Sequence, residues 1–136
     1  MPLSDLLSCP EDELEAIITN EAPYSSGTWF LAKNIGMIQL CKLGELLGLG
    51  SYRDLKRGFG LVGEPLPDGP WPETTHPALI AKLRDVSDAE IQSVVNDWAR
   101  TEELAGTSPE NLADYLTRLR DFLKQQKNPI FLINAL

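Results

Sequence analysis

Two cysteines and one histidine are the side chains in this 136-residue chain best suited to nucleophilic or metal chemistry. Cys9 lies just before a predicted helix N-terminus, where a thiol pKa can be lowered, but three acids follow it closely and oppose that lowering. Cys41 lies in the most apolar stretch, where a buried and inert thiol is usual. Zinc sites need Cys and His at close spacing, which His76 and two scattered cysteines do not offer. We therefore expect no catalytic residue and no metal site, and a Cys–His pair assembled by the fold is the alternative.

Carboxylates are abundant enough to raise the alternative of an all-helical, magnesium-dependent nucleotide hydrolase. Enzymes of that type resemble one another in E-x-x-E and E-x-x-D pairs on facing helices. This chain offers Glu11 with Glu15 and Asp85 with Asp88, and the second pair lies at a predicted helix boundary. Solvated surface charge is the better interpretation of these carboxylates. A small enzyme of unrecognised type is kept as the alternative.

The residues 58–63 read GFGLVG and match the glycine pattern of dinucleotide-binding loops. That pattern binds a pyrophosphate when a strand precedes it and a helix follows it. Here a predicted helix over 52–57 precedes the glycines, and a proline-rich stretch follows them. We therefore expect turn glycines, no nucleotide site and no cofactor.

The segment 58–75 is the least ordinary part of the sequence, with four prolines and four glycines and no periodic pattern. It also holds three acids and one tryptophan, and no Lys or Arg occurs between 58 and 81. Aromatic anchors supply contact area at low entropy cost, as interface hot spots do. The segment therefore predicts a partner-binding surface formed by Glu64, Asp68, Trp71 and Glu73. The alternative is that Trp71 and Leu66 fold back to fill the edge of the core.

The net charge of −8 comes from 20 acidic and 12 basic residues. Binding to nucleic acid or anionic lipid depends on Lys and Arg displacing counterions, so we expect neither nucleic acid nor membrane as a partner. A basic protein is the natural electrostatic complement of this chain. Residues 1–8 carry an acid and no positive segment, unlike a signal peptide, and no apolar run approaches the ~18 residues of a membrane span. A soluble cytoplasmic protein with reduced thiols is the resulting expectation.

Hydrophobic periodicity predicts a mainly α fold: one compact domain over 1–136, with about five to six helices and a minor C-terminal β-strand element. The expected helices begin near Pro10, Thr28, Ser51, Ala78, Ser87 and Pro109. The segment 58–75 is predicted to be a Pro/Gly-rich loop within this domain. A strand is predicted at 130–133, with 59–63 or 28–31 as its partner. Pairing with a second subunit is a further alternative, which leaves a homodimer open.

The residues 97–104, DWARTEEL, taken with the aliphatic C-terminal strand, resemble small uncharacterised bacterial proteins of the toxin-immunity type. The resemblance covers the second half of the chain. It implies a small cytoplasmic protein that blocks a partner by contact, and it carries over no catalytic residue. An acidic inhibitor would also associate faster with a basic partner. We therefore expect a non-enzymatic protein-binding domain, specifically an immunity or inhibitor protein, with a stand-alone adaptor or regulator as a further alternative.

Overall fold

The computed structural model describes residues 3–31, 34–63 and 66–135. Its strands are β1 (Leu3–Ser8), β2 (Thr28–Phe30), β3 (Trp71–Thr74) and β4 (Ile130–Ala135). Its α-helices are α1 (Leu14–Ile18), α2 (Met37–Leu46), α3 (Tyr52–Lys56), α4 (Pro77–Asp85), α5 (Asp88–Ala99) and α6 (Pro109–Gln125). Single 3-10 turns lie at Glu11–Glu13, Tyr24–Ser26 and Glu102–Leu104. The chain divides into two compact units, which we call the sheet unit (Met1–Gly36, Phe59–Thr75, Gln126–Leu136) and the helical unit (Met37–Gly58, His76–Gln125).

The four strands form one antiparallel sheet in the order β2-β1-β4-β3. β1 pairs with β4 along its whole length, beginning with Leu3 opposite Ala135. β2 extends the sheet beside β1, and β3 extends it beside β4. The strand predicted at 130–133 is therefore present, but the partners predicted for it at 59–63 and 28–31 are wrong.

The prediction of a mainly α domain is also wrong, because the fold combines six helices with a four-stranded sheet in the described ranges. β1 escaped prediction because Leu6 and Leu7 are both buried. A strand with both faces covered lacks the apolar–polar alternation by which strands are identified. The segment 58–75 is likewise not all loop, since its last part forms β3.

The apolar stretch predicted as one helix from Thr28 to Leu47 contains two elements instead, β2 and then α2, which begins at Met37. Aromatic and branched residues occur in strands as well as in buried helices, so residue composition alone does not distinguish β2 from the start of a helix. Within α2, Gly44 is buried, and a Cβ built there would lie 2.7 Å from a methyl carbon of Leu55. The glycine therefore permits close approach of α3.

The helical unit otherwise follows its local signals. Ser87 caps α5, which was predicted to begin there, and forms a capping box by exchanging hydrogen bonds with Glu90. Trp98 is fully buried, and its indole N–H donates to the Gln39 carbonyl at 2.9 Å, which ties α5 to α2. The helix predicted to begin near Pro109 is present as α6, and its core face consists of the buried residues Leu112, Leu116, Leu119 and Leu123. No helix in the described ranges is both long and apolar enough to cross a membrane.

The core of the sheet unit lies between one face of the sheet and α1. Leu7 of β1 and Phe131 and Ile133 of β4 contribute the sheet side of this core. Leu14 and Ile17, three residues apart and therefore on one helix face, contribute the α1 side. Val62 packs against the same cluster from the segment beside β3. This short helix and that segment are the elements that shape the candidate site.

Candidate functional site

Cys9 is fully buried in the core of the sheet unit, directly after β1. The pKa of its thiol is raised to about 11, mainly by burial and also by the nearby Glu13 and Asp12 carboxylates. The thiol is therefore protonated at neutral pH and is not an activated nucleophile. Cys41 is fully buried in the helical unit, the inert environment that the sequence predicted for it.

His76 has a structural role at the start of α4. Its Nδ1 accepts a hydrogen bond from the Ala78 amide at 3.2 Å, which caps the helix. Its ring covers Gly58, where an added Cβ would collide with the imidazole carbons. These contacts fix the imidazole as a packing and capping group of the helical unit.

The carboxylates weighed as metal ligands do not converge. Among the described residues, no group of three His, Cys, Asp or Glu side chains is arranged to hold a metal ion. Asp88 instead accepts a hydrogen bond from Arg120 at 2.8 Å. Glu11 and Glu15 lie together, but at the rim of a groove described below.

The glycine run at 58–63 extends the sheet rather than forming a phosphate-binding turn. The Gly60 carbonyl accepts from the Thr74 amide at 2.9 Å, and the Val62 amide donates to the Pro72 carbonyl at 3.0 Å. The run therefore lies antiparallel to β3 and leads to a turn at 67–68. A dinucleotide site requires a helix N-terminus after the glycines, and this run does not have that geometry.

The structure describes three of the four residues predicted to bind a partner. Glu64 lies outside the described residues, and Asp68 is exposed in the turn. The half-buried Trp71 donates its indole N–H to the Leu66 carbonyl at 2.7 Å. The Glu73 carboxylate accepts from the Asn134 side-chain amide at 2.5 Å. Trp71 and Glu73 therefore have partners inside the sheet unit, and Asp68 is the exposed charge among the described members.

The sheet unit contains a groove of about 430 Å³, a volume typical of ligand sites, lined by residues of 11–19 and by described residues of 62–72. We call it the acidic groove. Its apolar lining consists of Leu14, Ile18, Val62, Leu66, Pro70 and Pro72. Its carboxylates are Glu11, Asp12 and Glu15, all of them exposed. Thr19 and Gly63 complete it.

Local sequence explains how each wall is held. Leu14 and Ile17 bury one side of α1, and Ile18, one residue farther round the helix, reaches the groove. The opposite wall is fixed by the hydrogen bonds of Val62 to β3 and by the turn that Trp71 closes on Leu66. The groove therefore has rigid elements on both sides.

The electrostatics of the acidic groove are one-sided. None of the described residues that line it is basic. Both walls come from stretches without Lys or Arg, which are 1–32 and 58–81. The groove can thus hold a cation against an apolar surface, and it opposes anions such as phosphate.

The sequence analysis did not predict this groove, since the described lining does not include Asp68, Trp71 or Glu73. Glu11 and Glu15 were expected to be solvated surface charge. The available signal was the absence of any base from 1 to 32, matching the base-free segment at 58–81. No family model, curated protein sequence or solved structure matches this chain.

Proposed function

We propose that this chain is a non-enzymatic protein-binding domain that holds a basic segment of its partner in the acidic groove. The observation that carries the proposal is the pairing of an apolar lining with three exposed carboxylates, without a basic residue among the described lining. Lys and Arg side chains match this combination, because their aliphatic stems pack on apolar surface while their heads stay at the polar rim.

The groove favours a protein segment over other classes of ligand. Phosphate groups and anionic lipids would meet three carboxylates and no compensating base in the lining, which is electrostatically unfavourable. The proline and leucine walls offer contact area suited to a polypeptide. The net charge of −8 would also accelerate encounter with a basic partner.

The specific form of the proposal is a contact inhibitor of the toxin-immunity type. The sequence resemblance and the acidic charge support this form. An inhibitor of this kind needs no catalytic residue, since occupying a basic surface of the partner is enough to block it. Its partner would be a protein whose essential surface carries Lys or Arg.

An array of short synthetic peptides that vary in Lys, Arg and apolar content tests the proposal. We expect basic peptides with apolar residues to bind, and acidic peptides of the same apolar content not to bind. The triple variant Glu11→Gln, Asp12→Asn, Glu15→Gln should weaken this binding about tenfold, because exposed charge pairs contribute roughly 0.2–1 kcal/mol each.

The matched control is the triple variant Asp97→Asn, Asp114→Asn, Asp121→Asn. These residues are exposed acids of the helical unit, so the variant loses the same charge without touching the groove. Equal weakening by both triple variants would show that overall charge causes the loss of binding, and it would reject the groove as the binding site. Failure of every basic peptide to bind the wild-type protein would reject the proposed function.

A further inference from the structure

The outer edge of the sheet beside β3 is formed by the backbone of Leu61. Hydrogen bonds from Thr74 to Gly60 and from Val62 to Pro72 flank it, and Leu61 faces Glu73 as an antiparallel bridge. In this pattern the facing residues are a non-hydrogen-bonded pair, and their own amide and carbonyl groups point away from each other. The amide and carbonyl of Leu61 are therefore directed outward from the sheet.

Over the described residues 59–63, this edge lacks the usual protection against pairing. Sheet edges are normally protected by charged side chains or proline, and the residues 59–63, FGLVG, contain neither. Gly60 and Gly63 are exposed and have no side chains to cover the backbone. The Leu61 side chain is itself 58% exposed. An extended chain can therefore approach the backbone of Leu61 directly.

The open edge and the acidic groove adjoin at Val62. Side chains alternate between the two faces of a strand, so Val62 and Leu61 lie on opposite faces. Val62 lines the groove. A strand added beside Leu61 would consequently direct every second side chain toward the groove side, where Glu11, Asp12 and Glu15 form the rim.

We propose that the partner's basic segment binds as an added β-strand, pairing its backbone with Leu61 and placing alternate Lys or Arg side chains toward the acidic groove. The intervening residues would be apolar and would lie on the side of the Leu61 side chain. In strand addition, backbone hydrogen bonds supply affinity and pockets for alternate side chains supply specificity. This inference rests on the proposed function and adds the conformation and the residue pattern of the bound segment.

The test compares two synthetic peptides of identical composition. One alternates basic and valine residues, and the other places the basic residues at a helical spacing of three and four. We expect the alternating peptide to bind at least about tenfold more tightly. Single backbone nitrogens of this peptide are then methylated one at a time. Methylation of the residue that pairs with Leu61 should abolish binding. Methylation of either neighbouring residue should leave binding unchanged, because those amides face away from Leu61.

Variants of Leu61 test the same contact from the protein side. Leu61→Pro removes the outward amide and should weaken the alternating peptide about tenfold or more. Leu61→Ala keeps the backbone groups and removes only side-chain contact, so it should weaken the alternating peptide less than Leu61→Pro does. Circular dichroism checks that each variant is folded, and the methylated peptides supply the answer if Leu61→Pro does not fold.

The outcomes separate the two proposals. Binding that needs the three groove carboxylates but ignores backbone methylation and residue alternation would overturn strand addition and leave the proposed function standing. Equal or tighter binding of the peptide with helical spacing would do the same. If no basic peptide binds at all, both proposals fail.

Discussion

The indole N–H of Trp71 donates a hydrogen bond to the carbonyl oxygen of Leu66 across 2.7 Å. The same ring covers Gly69, where an added Cβ would lie 3.2 Å from the ring carbons. Gly69 has a φ of +75°, which glycine adopts without strain. The two contacts close the chain between Leu66 and Trp71 into a compact turn, and Leu66 and Pro70 of this turn line the acidic groove. Trp71 thus supports a wall of the groove.

Replacing Trp71 by Ala should lower the free energy of unfolding by about 1–3 kcal/mol, less than the ~3–5 kcal/mol of a fully buried aromatic side chain. Trp71→Phe keeps an aromatic ring, although a smaller one, and loses the indole N–H hydrogen bond, so a cost of at least about 0.5–1.5 kcal/mol is expected. Melting temperature and peptide affinity are measured on the same variants. A Trp71→Ala protein with wild-type melting and more than about tenfold weaker binding would instead make Trp71 a contact anchor.

Leu116 should be essential to the stability of the helical unit. It is 1% exposed on the core face of α6, and Leu116→Ala should cost about 2–5 kcal/mol in urea unfolding. Leu46→Ala is the matched control, since Leu46 is a helical leucine of the same unit that is 42% exposed. Its cost should be below about 1 kcal/mol. Similar losses in the two variants would contradict the assigned core.

The capping box of α5 predicts a difference between two serines. The Ser87 hydroxyl accepts from the Glu90 amide at 3.1 Å, so Ser87→Ala should cost about 1 kcal/mol. Ser93 lies on the exposed side of α5, and Ser93→Ala should be neutral or slightly stabilising, because alanine is the better helix former. Thermal unfolding of both variants measures the difference, and equal melting temperatures would refute the cap's contribution.

Stability at high pH should depend on Cys9. The folded-state pKa of its thiol is raised from 9.0 to about 11, so folded and unfolded chains are equally protonated at lower pH. Above pH 9 the unfolded chain loses this proton first, and the free energy of unfolding falls until the folded thiol ionises near pH 11. The slope reaches at most about 1.4 kcal/mol per pH unit.

The comparison of wild type with Cys9→Ala isolates this effect. Tyrosines and lysines titrate in the same range, but they are common to both proteins. The difference in unfolding free energy should stay constant below pH 9 and shrink between pH 9 and 11. A difference independent of pH would contradict the raised pKa.

Local signals predicted the helical unit well because its helices begin and end through chemistry close in sequence. The Ser51 and Ser87 caps and the leucine spacing of α6 are each contained within one or two turns. Such signals identify a helix without knowledge of its tertiary partners. The predicted helix over 28–47 failed because aromatic and branched residues at its start suit a strand equally well.

The sheet and the groove depend on residues that are distant in sequence. β1 forms a strand by pairing with β4, and neither strand shows an alternation of apolar and polar residues that would predict it. The acidic groove joins Glu11 and Glu15 to Leu66 and Pro72, and no periodicity links these positions. The predicted residues Asp68, Trp71 and Glu73 are not part of the described lining, whose carboxylates come from the α1 side instead.

The pairing of Leu3 with Ala135 has a kinetic consequence. Contacts between distant residues form slowly, because the intervening chain must be closed into a loop first. The helices α4, α5 and α6 follow one another directly and can assemble while the chain is still growing on the ribosome. Leu6 and Leu7 of β1 are synthesised before β4 and remain without it until translation of 130–135 is complete. We therefore expect β1 to pair with β4 only after the helices between them have been synthesised.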